Sequence, residues 1–301
     1  MPSSALTSDN SAIVMIDHAA GFGNVFRSHG ISLHVNNTVG LAKTAGVFGI
    51  PLVLTNGADT GPYGPLFSEL RAETGGARDR PGGKLHQRVP DPGVRRGHRI
   101  GRQYQLAPNA TSLINDVVLT SHGAYFTDSY NPDIYEIPIG PSGHLGRAVT
   151  TPLSGPVAAF STAGLNLNGI AATADGNTLI VDNTVLDKLF TVNPVTGASA
   201  AINVAGLIPD SMDGLLLEGA SLWVVENTAN TVVRVTLSHD LSSGTITSTI
   251  TSPLFDNPTT AAKYGDELAL PNGRYDLGLP PPFGPGAPPG TTFNVVVVPA
   301  F

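Results

Sequence analysis

The sequence predicts a mainly β protein: a partial β-propeller of about four blades, preceded by a truncated α/β (βαβ) fragment and a disordered joint. Three observations predict it. Over the last two thirds of the 301 residues, short β-rich runs recur with spacings of 53, 45 and 46 residues. A strand–helix–strand pattern occupies the opening. Between the two lies a stretch rich in Arg, Gly and Pro with no hydrophobic period. The implied boundaries are 1–71 for the βαβ fragment, 72–104 for the linker and 105–301 for the propeller domain.

In the first segment, Ala12–Ile16 is a continuous apolar run, as expected of a strand covered on both faces. Val35, Val39, Ala42 and Ala45 follow at helical spacing, with Leu41 and Phe48 beside them. Gly49 stands where a helix C-terminus favours a left-handed residue, and Pro51 prevents continuation. Pro51–Thr55 reads as the next strand. Gly21 and Gly23 follow the first strand, but Phe26 occupies the third glycine position of a dinucleotide fingerprint, so no Rossmann site is predicted.

The joint holds half of the chain's basic residues. Residues 78–102 carry eight of the sixteen Lys and Arg, opposed only by Asp79 and Asp91. Such a composition buries too little surface to offset ordering entropy. An Arg cluster can also hold phosphates. No aromatic residue interleaves for base stacking, and the net charge of −7 disfavours nucleic acid as a partner.

The repeats begin at Asn115-Asp116-Val117, Asn168-Gly169-Ile170, Asp213-Gly214-Leu215 and Thr259-Thr260-Ala261. Each opens with a strand, turns, and enters a stronger strand (AYFTDS, TLIVDNT, SLWVVENT, ELALPNG). Repeats of 40–50 residues with up to four strands are blades of a propeller. Asp128, Asp182 and Glu226 end the strong strands and are expected to bond turn amides. Trp223 is expected in a blade core. The segment Leu279–Pro289 reads as a long loop before a closing strand.

Cysteine is absent, which excludes disulfides, thiolate metal sites and a Cys nucleophile. No run of 18 apolar residues exists and no membrane partner is expected. The first residues show no signal-peptide pattern, which predicts a cytoplasmic protein.

Two resemblances stand on these residues. SAIVMIDHAAGFGNVFRSHG with NNTVGLAKTAGVFGIPLVLTNG, about residues 11–70, is similar to the opening of the isochorismatase-like cysteine hydrolases. That resemblance implies Asp17 as a general base working with a Lys and a Cys. The chain has no Cys, so the triad cannot form and this activity is disfavoured. LNLNGIAATADGNTLIVDNT, with its neighbouring blades, resembles the senescence-marker-protein/gluconolactonase propellers, related to strictosidine-synthase-like proteins, over about 104–301. Members are six-bladed and hold one divalent cation, usually calcium, at the top of the channel.

The second resemblance implies Asn115, Asn168 and Asp213 as metal ligands, with Asp213 also the catalytic base. It further implies a Glu ligand from the first blade, for which the chain has no matching segment. The expected function is therefore a calcium-dependent hydrolase of a small lactone or ester. The 43 residues between Arg71 and Asn115 are too few for two more blades, so that function is expected to be impaired. The alternative is a non-catalytic binding or scaffold propeller. Unpaired strand edges predict self-association, and the two unlike halves suggest a fusion.

Overall fold

The computed structural model describes residues 13–16, 18, 20, 30–50, 52–56, 65–73, 84–88, 102–107, 112–140, 145–162, 164–279, 283–288 and 290–301. Asp17 lies outside them. The chain divides into two compact units, residues 1–110 with 280–292, and residues 111–279 with 293–301.

In the first unit, β1 (Ile13–Ile16) pairs in parallel with β2 (Leu52–Asn56), and α1 (Ile31–Phe48) connects them. This is the βαβ unit that the apolar runs predict. Gly49 ends α1 at φ 67°, donating its N–H to the Ala45 carbonyl. Ala42, Ala45, Leu52, Leu54 and Met15 form the core, joined by Leu70 of the short helix α2 (Ser68–Glu73). Leu41 and Phe48 are exposed, so the buried stripe is narrower than the run of apolar residues suggests.

The stretch expected to be a joint without elements contributes two strands. β3 (Lys84–Arg88) pairs antiparallel with β2, and β4 (Arg102–Gln105) pairs antiparallel with β3. Strand addition to an open sheet edge satisfies main-chain donors and acceptors and needs no apolar pattern. That is why hydrophobic periodicity did not reveal them. Residues 74–83 and 89–101 lie outside the described residues.

The second unit consists of antiparallel meanders. Blade one is β5 (Ile114–Leu119), β6 (Gly123–Asp128), β7 (Asp133–Pro138) and β8 (Val149–Pro152). Blade two is β9 (Leu167–Ala172), β10 (Leu179–Asn183), β11 (Lys188–Val192) and β12 (Ser199–Val204). Blade three is β13 (Met212–Glu218), β14 (Ser221–Glu226), β15 (Thr231–Leu237) and β16 (Ser243–Thr251). Blade four has three described strands: β17 (Ala262–Tyr264), β18 (Glu267–Pro271) and β19 (Val295–Pro299). The outer strands β12 and β16 also pair in parallel, which joins blades two and three into one eight-stranded sheet.

The blades stack face to face, and the two-residue period of each central strand shows how. In β10, Leu179 and Val181 enter the core shared with Tyr125 and Ile134 of blade one, whereas Ile180 enters the core shared with Leu215, Leu222 and Val224 of blade three. In β14, Leu222 and Val224 face blade two, and Trp223 and Val225 face Leu268, Leu270, Val296 and Val298 of blade four. Burial on both faces explains the continuous apolar runs of these strands. Among the described residues no helix is long and apolar enough to cross a membrane.

Candidate functional site

The opening strands β5, β9 and β13 lie side by side, so repeat-equivalent residues from three blades come together. Their backbones approach closely. A Cβ on Gly169 would sit 2.2 Å from the Asp213 carbonyl oxygen, and one on Gly214 would sit 2.6 Å from the Thr260 Cα. Only glycine fits at either position. Hydrogen bonds run between blades along this line. The Thr127 hydroxyl donates to the Asn168 carbonyl at 2.8 Å, and the Gly214 N–H donates to the Thr259 carbonyl at 2.8 Å.

Two of the three expected site residues meet. The Asn168 Nδ2 donates to the Met212 carbonyl at 3.5 Å and lies near enough to the Asp213 carboxyl to favour its charge, and Asn227 donates its Nδ2 to Asp213 Oδ2 at 2.7 Å. Asn115 occupies the equivalent place in blade one, exposed, with its Nδ2 donating to Ser129 Oγ at 2.9 Å.

Two carboxylates outside the expected set join them. Asp116 Oδ1 accepts the Val117 N–H at 2.7 Å, and its Oδ2 accepts the Ile170 N–H of blade two at 3.2 Å. Asp182 is fully buried. Its Oδ2 accepts the Thr184 hydroxyl at 3.2 Å, while Oδ1 makes no hydrogen bond of adequate distance and angle. The Gly169 amide is the near backbone donor favouring its charge.

The sequence predicts the same role for the three acids that end the strong strands. Asp128 has it, accepting the N–H groups of Leu113, Tyr130 and Asn131. Glu226 has it too, accepting the Ile208 N–H at 2.7 Å and the Thr231 hydroxyl at 2.8 Å. Asp182 departs from the expectation, because it faces inward to Asp213 and holds an oxygen without a partner.

Burial is the first cause of the electrostatics here. It pushes the Asp116 carboxyl up to about 6. It also pushes Asp213 up to about 7, with the Asp116 charge adding to the shift and the Asn227 and Asn168 amides opposing it. Asp182 is raised well above the usual carboxylate range, by burial and then by the charges of Asp213 and Asp116. Tyr275 also feels Asp213, its hydroxyl being pushed up to about 12 by burial and that charge. Three carboxyls thus share one poorly solvated region and repel one another.

The donor set fits a hard divalent cation. Asp182, Asp213 and Asn168 offer only oxygens, and the partnerless Asp182 Oδ1 is the kind of buried atom a cation would satisfy. Among the described residues, however, no three Asp, Glu or His side chains form a group arranged to hold a metal. Asp116 has both oxygens engaged by backbone amides.

No protein-family model matches the chain. Over 68 residues it is 35% identical to the Escherichia coli K12 protein named Probable hydrolase YcaC, a match covering 23% of this chain and 33% of that protein. Among solved structures it is similar to virginiamycin B lyase from Staphylococcus aureus, at 18% identity and TM-score 0.43, over 62% of this chain and 55% of that one. It is similar to a candidate 6-phosphogluconolactonase from Bacteroides uniformis, at 15% identity and TM-score 0.43, over 63% and 57%. It is also similar to a Lactobacillus plantarum protein, at 14% identity and TM-score 0.46, over 64% and 59%. The chain therefore spans about a third of the curated relative and little more than half of these structures.

Proposed function

We propose that the second unit is a hydrolase-type propeller acting on a small lactone or ester with the help of a divalent cation, calcium by the chemistry of the donors. The observation that carries this reading is the fully buried Asp182 Oδ1, partnerless beside Asp213 and Asn168. Asp182, Asp213 and the Asn168 side-chain oxygen would hold the cation, with Asn115 at the margin. When bound, the cation supplies positive charge that polarises a substrate carbonyl and makes water more acidic.

The chain's own residues supply the rest. Asp213, held by Asn227 and facing the same buried region as Asp182, is the carboxylate placed to take a proton from water. Asn227, donating to Asp213 Oδ2, keeps that carboxyl in one orientation. No first-blade Glu is matched, and Asp182 would supply the second anionic ligand in its place. Burial opposes the charge of both Asp182 and Asp213, so weak binding is expected, toward about 10⁻⁴–10⁻³ M.

Asp213→Asn keeps the shape and removes the base. With a simple δ-lactone and millimolar calcium, it should lower kcat by about a hundredfold or more. An unchanged kcat would reject Asp213 as the base. A second reading, a non-catalytic scaffold, is favoured by one observation: the lack of a three-residue metal group among the described residues. In that reading the three carboxyls stay partly protonated and tie the blades together, and no lactone is hydrolysed by the parent.

A further inference from the structure

We infer that Tyr275, in the loop after the strong strand of blade four, is a substrate-contacting residue of the same site: its ring forms the wall next to Asp213, and its hydroxyl donates a hydrogen bond to a substrate oxygen. The inference rests on the proposed hydrolysis of a lactone or ester and adds a residue to it.

The repeat shows where Tyr275 stands. In three blades the residue just past the strong strand turns its N–H back toward the start of the blade. Ser129 donates to the Leu113 carbonyl, Asn227 to the Ser211 carbonyl and Gly273 to the Asn257 carbonyl. In blades one and three the side chain at this place meets the opening residue of its own blade. Ser129 Oγ accepts from Asn115 Nδ2, and Asn227 Nδ2 donates to Asp213 Oδ2. Blade four has glycine at this place and Thr259 as its opening residue. A Cβ on Gly273 would sit 2.8 Å from Thr259 Cγ2, 2.9 Å from Tyr275 Cζ and 3.0 Å from Tyr275 Cε1. The Tyr275 ring therefore fills the space that a side chain holds in blades one and three. The Thr259 carbonyl accepts the Gly214 N–H, which brings this ring to the neighbourhood of Asp213.

The loop is built to hold it there. Residues 129–132, 184–187 and 227–230 close the equivalent turns, whereas residues 272–294 separate β18 from β19. Arg274 enters the loop at φ 54° and is paired with Asp256 and Asp276. One 3-10 turn follows, Tyr275–Leu277, and the Asp276 N–H donates to Asn257 Oδ1 at 2.7 Å. These bonds fix Tyr275 on both sides of its own backbone.

The hydroxyl is left over for a ligand. Tyr275 is partly buried, and among the described residues its hydroxyl has no hydrogen-bond partner and is not sealed from solvent. The acids of the site offer acceptors, and the nearby amide donors are engaged: Asn227 Nδ2 by Asp213, Asn168 Nδ2 by the Met212 carbonyl. Burial and the Asp213 charge keep the phenol protonated, so it stays a donor across the working pH range. A lactone or ester group brings only acceptor oxygens, so an unengaged donor beside the base is what it requires. The ring supplies an apolar face for the substrate carbons.

The test is steady-state hydrolysis of a simple δ-lactone by the full chain with millimolar calcium. Tyr275→Phe keeps the ring and removes the donor, and it should lower kcat/KM about tenfold or more. Its melting temperature and its calcium binding should match the parent. Gly273→Ala should displace the ring and also lower kcat/KM, and the double variant should be no worse than Tyr275→Phe, since both changes act through one hydroxyl. Tyr264→Phe, at a residue 76% exposed, should behave as the parent. A parent that hydrolyses the lactone while Tyr275→Phe keeps its kcat/KM would overturn the role of Tyr275 and leave the hydrolase reading standing. A fall in Tyr275→Phe matched by loss of folding or of calcium binding would make the residue structural and also overturn it. A parent that hydrolyses no lactone or ester would remove the hydrolase reading, and this inference with it.

Discussion

Asp116 Oδ2 accepts the Ile170 N–H at 3.2 Å, so a carboxylate of blade one bonds the backbone of blade two. The bond ties the opening strands together at the place where Asp182 and Asp213 also gather. Structure and electrostatics are therefore coupled at one point. The carboxyl that bonds blade one to blade two is one whose charge burial disfavours.

Stability should depend on pH in an unusual direction. Asp116 and Asp213 have folded values of about 6 and about 7, above the 3.8 of a free Asp. The folded state then binds more protons than the unfolded state between about pH 4 and 7, and stability falls as pH rises through that window. In the presence of a chelator, the melting temperature of the propeller unit should rise on acidification from pH 8 to pH 5. Asp116→Asn should remove part of this dependence, an effect on the order of 2 kcal/mol. A melting temperature that falls steadily from pH 8 to pH 5 would contradict the assigned burial.

Gly169→Ala should be severely destabilising. Its Cβ would meet the Asp213 carbonyl at 2.2 Å, the Asp182 Oδ1 at 2.9 Å and the Leu215 Cγ at 2.9 Å. Backbone cannot swing away as a side-chain end can, so β9 and β13 must separate, at about 3 kcal/mol or more. Gly219→Ala is a useful comparison, since it is strained by φ 60° but meets nothing within 4 Å. Urea denaturation should rank Gly169→Ala as clearly the worse of the two.

Trp223 anchors the C-terminal end of the chain. Its Nε1 donates to the Ala300 carbonyl at 3.1 Å, and the Arg234 guanidinium stands 5.4 Å from its ring centroid. Trp223→Phe keeps most of the apolar body but leaves the buried Ala300 carbonyl without this donor. A loss of about 1–3 kcal/mol is expected. Tryptophan being unique in the chain, its fluorescence in the parent should report unfolding of blades three and four directly.

The strong strands were legible because they are buried on both faces. Leu179–Val181 and Leu222–Val225 read as apolar runs for that reason, and the following strands Lys188–Val192 and Thr231–Leu237 are β-rich runs of the same kind. Val149–Pro152 and Ser199–Val204 were missed because outer strands are half-exposed and carry Thr, Pro, Ser and Ala. Ala262–Tyr264 is too short to show a period.

At the site, the repeat phase located Asn168 and Asp213. Asp116 had a signal in the sequence, since it puts a charge where the next two repeats have Gly169 and Gly214. Asp182 had none. It shares its place in the repeat with Asp128 and Glu226, and only the packing of β10 against β13 distinguishes it.

The central claim is that Asp213, Asp182 and Asn168 form a cation site, and calorimetric titration with calcium at pH 7.5 tests it most directly. The parent should bind one equivalent at about 10⁻⁴–10⁻³ M. Asp213→Ala and Asp182→Asn should each abolish the heat, because each removes an anionic oxygen. Asn168→Ala should weaken it less, by deleting a neutral one. Asp240→Asn, in the exposed turn before β16, should titrate like the parent. A parent that takes up no calcium, or an Asp213→Ala variant that binds it as the parent does, would contradict the site and leave the scaffold reading in its place.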